Sequence, residues 1–401
     1  MSKTIRKSLF TVLLVSLAIV LFFSGCKSTD GQKKESIVLQ IEEGSISYYG
    51  NVGLNMRTRE FFAETDFEYG DAIRVRFLDH DLVMPIVSAF SLVDIGQIGL
   101  KAEDMDPDEP SEYLEMFINL QDFAETYGIA KKELHEDGKW EVVPFDGVVF
   151  PIDVTLSMEK KCAYPELSES PLVIRGDRES YSHLNDYEFA NIRMVTTTGF
   201  GNCFYRGSSP VDDTYKRDEY ADDLLDDIGV NIAINLADTK KSVSEYEGFE
   251  DTYYSKNLDV VYIGIDIDYT KSSFKEGLRD AYKYIADNRG VYYVHCQIGK
   301  DRTGVFCAIL ESLMGASAHE VIEDYMKTYL NYYDIEKDSL QYNKIADSNI
   351  CAALENLYNL DTEFPILSAE RLQNETVKFL KNIGLTDTDI KNLKANLSRV
   401  R

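Results

Sequence analysis

Two kinds of hydrophobic pattern divide the chain. From Ile37 to about Asp153 short apolar runs alternate with turn residues, as in "SIVLQIEEGSISYYGN" and "DAIRVRFLDHDLVMPIV". β-branched and aromatic residues broken by glycine and asparagine predict strands. One segment there, "PSEYLEMFINLQDFAETYG", puts Tyr113, Met116, Phe117, Leu120 and Phe123 at helical spacing and predicts a helix packed on a core. After "EKKCAYPELSESPLVIRGDRES" the pattern changes. "EYADDLLDDIG" predicts a helix, "VNIAINLA" and "LDVVYIGIDI" predict strands, and "SSFKEGLRDAYKYIADN" predicts a helix. In that last helix Ser273 and Glu276 read as a capping box, with Phe274, Leu278, Tyr282 and Ile285 inward. "VYYV" then reads as a buried strand and "TGVFCAILESLMG" as a helix closed by Gly315. "SAHEVIEDYMKTYL" follows with its own box, Ser317 and Glu320, and the remainder is helical, restarting at Thr386 with Asp389 in the first turn.

Alternation of strand and helix implies an α/β domain with a parallel-rich sheet flanked by helices, preceded by a smaller β-rich α+β domain. The boundaries expected are 1–26 for a leader, 27–36 for a polar tether, 37–170 for the β-rich domain and 171–401 for the α/β domain with its helical C-terminus. The leader reading rests on Lys3, Arg6 and Lys7 before an apolar run from Leu9 to Phe23. That run is short for a membrane span of about 20 residues. It ends in "FSGC", which resembles a bacterial lipoprotein signal with Cys26 as the lipidated residue. The expectation is a protein held by lipid on the outer face of a bacterial membrane.

Charge narrows the chemistry. The chain of 401 residues carries a formal −27, which argues against a nucleic-acid partner. An anionic substrate would need a local positive site working against that field. Beyond Cys26 the cysteines are Cys162, Cys203, Cys296, Cys307 and Cys351, with no CxxC pair and no Cys/His cluster at metal spacing. No metal and no cofactor is expected. Cys307 reads as core, and a Cys162–Cys203 pair stays open.

"VHCQIGKDRTGVF", residues 294–306, joins the buried strand to the apolar helix. A glycine-bearing loop between strand and helix turns N–H groups inward, and the helix directs its positive end at the loop. Arg302 can clamp phosphate oxygens bidentately. Cys296, set in that positive well, is poised as a thiolate nucleophile. The spacing Cys-x5-Arg lets one loop cradle a phosphoryl group and aim sulfur at phosphorus.

"HCQIGKDRTG" resembles the signature of the cysteine-dependent protein tyrosine phosphatase superfamily. "GKDRTG" is similar to the bacterial secreted tyrosine/serine phosphatase branch, which overlaps with lipid and inositol phosphatases. "NIRMVTTTGFGNCFYRGSSP" and "VIEDYMKTYLNY" are similar to that branch's opening segment and to its helix after the loop. The resemblance covers about residues 184–330 and leaves the first half unexplained. It implies that Cys296 forms a phosphocysteine and that Arg302 binds the phosphoryl group and stabilises the transition state. Thr303 would hydrogen-bond the thiolate, and His295 would order the loop. Gln297, Ile298, Gly299, Lys300, Asp301 and Arg302 would bind phosphate, with Gly299 and Gly304 allowing the turn. Asp301 is the favoured general acid. Asp266 and Asp268 in "IGIDIDYT" are the alternatives, and Asp238 is a weaker one. Arg206 reads equally as a structural ion pair or as a lining residue.

The expected function is hydrolysis of phosphate monoesters on a phosphorylated protein or small phosphoester, in the manner of a tyrosine or dual-specificity phosphatase. Inositol phosphates or phosphoinositides are the alternative, drawing on Lys300, Lys240 and Lys241. A module that binds phospho-ligands without turnover is a third reading, disfavoured by intact Cys296, Asp301, Arg302 and Thr303. Rhodanese-type sulfur transfer gives no reason for the Arg-Thr-Gly exit into the helix.

Overall fold

The computed structural model describes residues 33–104, 110–134, 140–168, 172 and 174–401. The expected leader, Cys26 and most of the tether lie outside the described residues. In the β-rich half, a seven-stranded sheet is built from β1 (Ser36–Ile41), β2 (Val52–Arg57), β3 (Ala72–Phe77), β4 (His80–Val87), β5 (Ile98–Lys101), β6 (Tyr113–Ile118) and, later in the chain, β9 (Ile152–Lys160). Its order is β1-β9-β3-β4-β5-β6-β2. All neighbours are antiparallel except β4 and β5. Between β6 and β9 a hairpin is formed by β7 (Ala130–Leu134) and β8 (Trp140–Pro144). Alternation explains the pairing: Ile37, Leu39 and Ile41 of β1 face the same core as Ile73, Val75 and Phe77 of β3. Two short helices, α1 (Thr58–Glu64) and α2 (Phe123–Thr126), complete this half.

The helix expected over "PSEYLEMFINLQDFAETYG" is overturned. Tyr113–Ile118 is strand β6, and only the single turn of α2 is helical, capped by Asp122, which accepts the Glu125 N–H at 2.8 Å. The cause is burial on both faces. Leu114, Met116 and Ile118 enter the core of the β-rich half, while Phe117 enters the core of the other half. Two-sided burial removes the polar–apolar alternation that marks a strand with one wet face.

The second half holds a five-stranded sheet of β10 (Arg193–Met194), β11 (Phe204–Gly207), β12 (Ile232–Asn235), β13 (Asp259–Tyr262) and β14 (Tyr292–His295). Its order is β10-β11-β14-β12-β13, with β11·β14, β14·β12 and β12·β13 parallel and β10·β11 antiparallel. Its helices are α3 (Asp186–Phe189), α4 (Asp218–Ile228), α5 (Lys240–Val243), α6 (Tyr253–Asn257), α7 (Ser272–Asp287), α8 (Asp301–Met314), α9 (Ala318–Tyr333), α10 (Leu340–Ala346), α11 (Ala352–Tyr358), α12 (Ala369–Asn382) and α13 (Asp387–Leu397). Every residue of α8 from Thr303 to Met314 is buried, so it is the central helix and reads as apolar all round. Gly315 closes it at φ 101°, and the boxes Ser317/Glu320 and Thr386/Asp389 cap α9 and α13. The box expected at Ser273 and Glu276 does not form. Helix α7 begins one residue earlier, at Ser272 behind Lys271, so Ser273 already lies inside the first turn.

The two halves share core. Lys34–Arg401 packs as one compact unit. Val87, Leu92, Val93 and Phe117 from the β-rich half belong to the same apolar cluster as Phe306, Leu354 and Leu393. Polar ties accompany it: Asn349 Nδ2 donates to the Ser91 carbonyl at 2.8 Å, and Lys344 pairs with Asp94 at 2.9 Å. All five described cysteines are unpaired, and Cys203 directs its thiol at the Asn396 carbonyl, 3.3 Å away.

If Phe117 joins the two cores, Phe117→Ala should cost about 3–5 kcal/mol, the range for truncating a buried aromatic. Urea unfolding followed by circular dichroism should show one transition at a lower midpoint. An unchanged midpoint would mean the ring does not join the halves.

Candidate active site

Three parallel strands end together. In register, Gly207, His295 and Asn235 sit side by side at the C-terminal ends of β11, β14 and β12. Loops leaving such ends form the ligand crevice of an open α/β sheet. The loop after β14 is Cys296–Lys300, and α8 starts at Asp301.

Successive carbonyls of this segment are drawn outward by the scaffold. The His295 carbonyl accepts from Leu236 N–H at 2.9 Å and that of Gln297 from Ser209 N–H at 2.8 Å. The Ile298 carbonyl accepts from Asn191 Nδ2 at 3.0 Å, that of Gly299 from Arg206 Nη2 at 2.9 Å, and that of Lys300 from Gly304 N–H at 2.7 Å. The Cys296 carbonyl lies 3.2 Å from His295 Nδ1. Among the described residues, no N–H from Gln297 to Thr303 has a protein acceptor. A peptide unit whose carbonyl is pulled out presents its N–H inward, so the loop is a nest of donors at a helix N-terminus. Gly299 is required twice: its φ is +70°, and a Cβ there would stand 2.3 Å from the Gly207 carbonyl oxygen. Gly304 serves differently from the turn expected of it. It lies inside α8, where a Cβ would meet the Tyr325 ring at 2.4 Å.

Beneath the loop lies a buried ion cluster. Arg206 Nη1 pairs with Asp324 Oδ2 at 2.6 Å, and Arg193 Nε with Asp324 Oδ1 at 2.9 Å. Burial alone would raise the Asp324 carboxyl, but Arg193 and Arg206 hold it well below the usual carboxylate range. Arg206 is thus a support of the loop and does not line the cleft. Asn191 acts alongside it: Nδ2 holds the Ile298 carbonyl while Oδ1 accepts from Arg193 at 2.9 Å.

His295 is fully buried between Tyr254 and the loop. Burial, with Arg302 nearby, lowers its pKa to about 4, the bond to the Cys296 carbonyl opposing. The ring is therefore neutral, with Nδ1–H donating to that carbonyl and Nε2 accepting from Tyr254 Oη at 3.0 Å. Both nitrogens are engaged, which leaves a role in ordering the loop.

A cleft of about 240 Å³ opens over the loop, lined by Cys296, Gln297, Ile298, Lys300, Asp301 and Arg302. Arg302 is half-buried, and this desolvation opposes its charge, yet Cys296, Tyr49, Asp238 and Asp301 around it raise its pKa. Lys300 Nζ lies 3.6 Å from Asp301 Oδ2 and 5.3 Å from the centre of the Tyr329 ring. Thr303 Oγ1 is buried without a hydrogen-bond partner. The other candidate acids do not line the cleft. Asp268 Oδ1 is taken by the Thr270 N–H and hydroxyl at 2.9 and 2.6 Å, and Asp266 pairs with Lys271 at 3.3 Å. Ile267 between them lines the cleft, and they do not. Asp238 is held by Asn235 Nδ2 at 3.1 Å, and burial raises its carboxyl. Lys240 and Lys241 are exposed and do not line the cleft. Among the described residues no group of three or more His, Cys, Asp or Glu is placed to hold a metal ion, and no helix is long and apolar enough to cross a membrane.

Half of the lining residues come from the β-rich half, including Tyr49, Phe90, Lys101 and Glu103. Nothing local in the sequence marks them. They meet the loop only because that half packs on the α/β sheet.

Residues 222–399 match the model of a tyrosine phosphatase family, which supports phosphatase chemistry for this half. The chain shows 15% identity to the core catalytic domain of the PP-IP phosphatase SIW14 of S. cerevisiae, over 39% of this chain and 89% of that one, at a TM-score of 0.23. It shows 17% identity to an uncharacterized conserved protein of Thermotoga maritima, over 31% of this chain and 37% of that one, at a TM-score of 0.22. The chain thus spans little more than a third of the Thermotoga structure, and at such TM-scores neither likeness carries an argument. No curated protein matches significantly.

Two predictions test the support of the loop. Arg206→Lys keeps a charge for Asp324 but loses the planar fork that also reaches Gly299, so turnover should fall roughly tenfold, with the fold kept, for one charged hydrogen bond. A rate equal to wild type would show that the Gly299 tie is dispensable. His295 is neutral when folded and protonates near pH 6.5 when unfolded, so the unfolded state takes up more protons as pH falls. Stability is full above about pH 6.5 and is lost as pH drops towards 4, by on the order of 3 kcal/mol. Urea midpoints against pH should show this slope in wild type and a smaller one in His295→Gln. Equal slopes would remove His295 as the cause.

Proposed function

We propose that the chain is a cysteine phosphatase acting on aryl phosphate monoesters of the phosphotyrosine kind. The observation that carries this reading is the loop whose carbonyls are drawn outward and whose N–H groups, from Gln297 to Thr303, lack protein acceptors around Cys296 and Arg302. Such a nest fits three phosphoryl oxygens. Sγ of Cys296 attacks phosphorus as the P–O ester bond breaks. Asp301 gives its proton to the departing oxygen, leaving an alcohol or phenol and a phosphocysteine. The Asp301 carboxylate then takes a proton from water, whose oxygen attacks phosphorus. Inorganic phosphate leaves and Sγ departs as thiolate, met by the Thr303 hydroxyl. Asp301 is favoured over Asp266, Asp268 and Asp238 because it alone among them lines the cleft.

Aromatic walls favour a flat ring: Tyr49, Phe90, Tyr215 and Tyr333 line the cleft. The inositol phosphate alternative needs several uncommitted cations, yet Lys240 and Lys241 lie away from the cleft and Lys300 sits beside Asp301. The charged leader and "FSGC" ending in Cys26 support a lipid-anchored enzyme on the outer face of a bacterial membrane.

Phosphate release from 4-nitrophenyl phosphate and a phosphotyrosine peptide, with reductant and EDTA, tests the reading. Cys296→Ser should abolish release, and Asp301→Asn should lower kcat by about 10²–10⁴. Full activity in Cys296→Ser would refute the mechanism. Near-normal rates in Asp301→Asn with loss in Asp238→Asn would move the acid to Asp238.

A further inference from the structure

The β-rich half is more than a support, because half of the cleft is made of it. Its charged contribution is one pair. Lys101 Nζ lies 2.5 Å from Glu103 Oε2, 3.2 Å from Glu115 Oε2 and 4.4 Å from the centre of the Phe90 ring. Lys101 and Glu103 both line the cleft, and the three side chains together sum to one negative charge.

The cations of the cleft are therefore unequal. Lys101 has two carboxylates and Lys300 has Asp301, whereas Arg302 makes no ion pair among the described residues and only long contacts, 3.5 Å, to the Ala237 and Ile265 carbonyls. One phosphate over Arg302 meets that charge and the loop N–H groups. A second phosphate on the same substrate would meet Glu103 or Asp301. An ammonium group would instead find Glu103 with its excess negative charge and the rings of Phe90, Tyr215 and Tyr333. Burial raises the Glu103 carboxyl, with Lys101 opposing, so a cation brought beside it would favour its charged form.

Resting on the phosphatase reading, we infer that Glu103, held by Lys101, selects phosphate monoesters that carry one phosphate and an ammonium group on the same small molecule. The β-rich half is in that case the specificity half of the site, and Glu103 is its determinant. Substrates of this class are phosphorylated amines and free phosphorylated amino acids.

A matched pair of probes tests this. Tyramine phosphate and 4-ethylphenyl phosphate share ring and phosphate and differ by the ammonium group. For wild type, kcat/KM should favour tyramine phosphate by roughly tenfold or more, the size of one charge-assisted hydrogen bond. Glu103→Gln should bring the ratio towards one, whereas Glu103→Asp should retain part of it. Inositol hexakisphosphate should be turned over more slowly than either probe. A wild-type ratio near one, a ratio unmoved in folded Glu103→Gln, or faster turnover of the hexakisphosphate would overturn the inference. Absence of turnover of both probes by wild type, or persistence of turnover in Cys296→Ser, would instead overturn the phosphatase reading. Thermal denaturation of the Glu103 variants separates misfolding from lost selectivity.

Discussion

The site depends on a charge buried under it. Arg206 is almost wholly enclosed, and one guanidinium bonds both the Asp324 carboxylate and the Gly299 carbonyl. Desolvating such ions is costly, and removing one partner of a buried pair is costlier still. The cluster is therefore a poor choice for stability alone. What it supplies is direction. A fixed positive fork beneath the loop draws a carbonyl downward, and the peptide plane then turns its N–H upward. Asn191, Leu236 and Ser209 repeat that device at neighbouring carbonyls. The nest of donors is thus written mostly in residues that do not line the cleft.

This gives a strongly acidic chain a means of holding the anion proposed for it. With a formal −27, long-range attraction is absent, and the binding energy has to come from donors within hydrogen-bond reach. Backbone N–H groups suit this, because their dipoles are fixed and carry no compensating counter-charge. Arg302 adds the one cation of the cleft that has no ion pair among the described residues.

The loop was legible in the sequence because its chemistry is local. Cys296, Gly299, Arg302 and the helix start lie in one segment, and each has a physical reason that spacing alone exposes. Capping of α9 and α13 was legible for the same reason. The failures share a cause as well. Strand β6 was read as a helix because Phe117 answers to a core that its own sheet does not supply. Gly304 was read as a turn residue because the Tyr325 ring that excludes a side chain there lies on α9. Arg206 stayed ambiguous until Asp324, far along the chain, was placed against it. In each instance the missing information was the identity of a distant neighbour.

The same limit hides the specificity of the site. A nucleophile loop recurs wherever the reaction is the same, so its motif shows in the sequence, whereas a wall contributed by another sheet has no motif. Lys101 ends β5, and Glu103 follows two residues later in a stretch with no motif of its own. Packing of Phe117 and Phe90 against the other half accompanies the approach of Glu103 to the cleft. The order of causes is then one of chemistry and geometry. In the proposed reaction the loop holds the phosphoryl group and aims the sulfur at it. The burial of one phenylalanine in the other half's core sets, in the proposed scheme, the wall that would read the rest of the substrate.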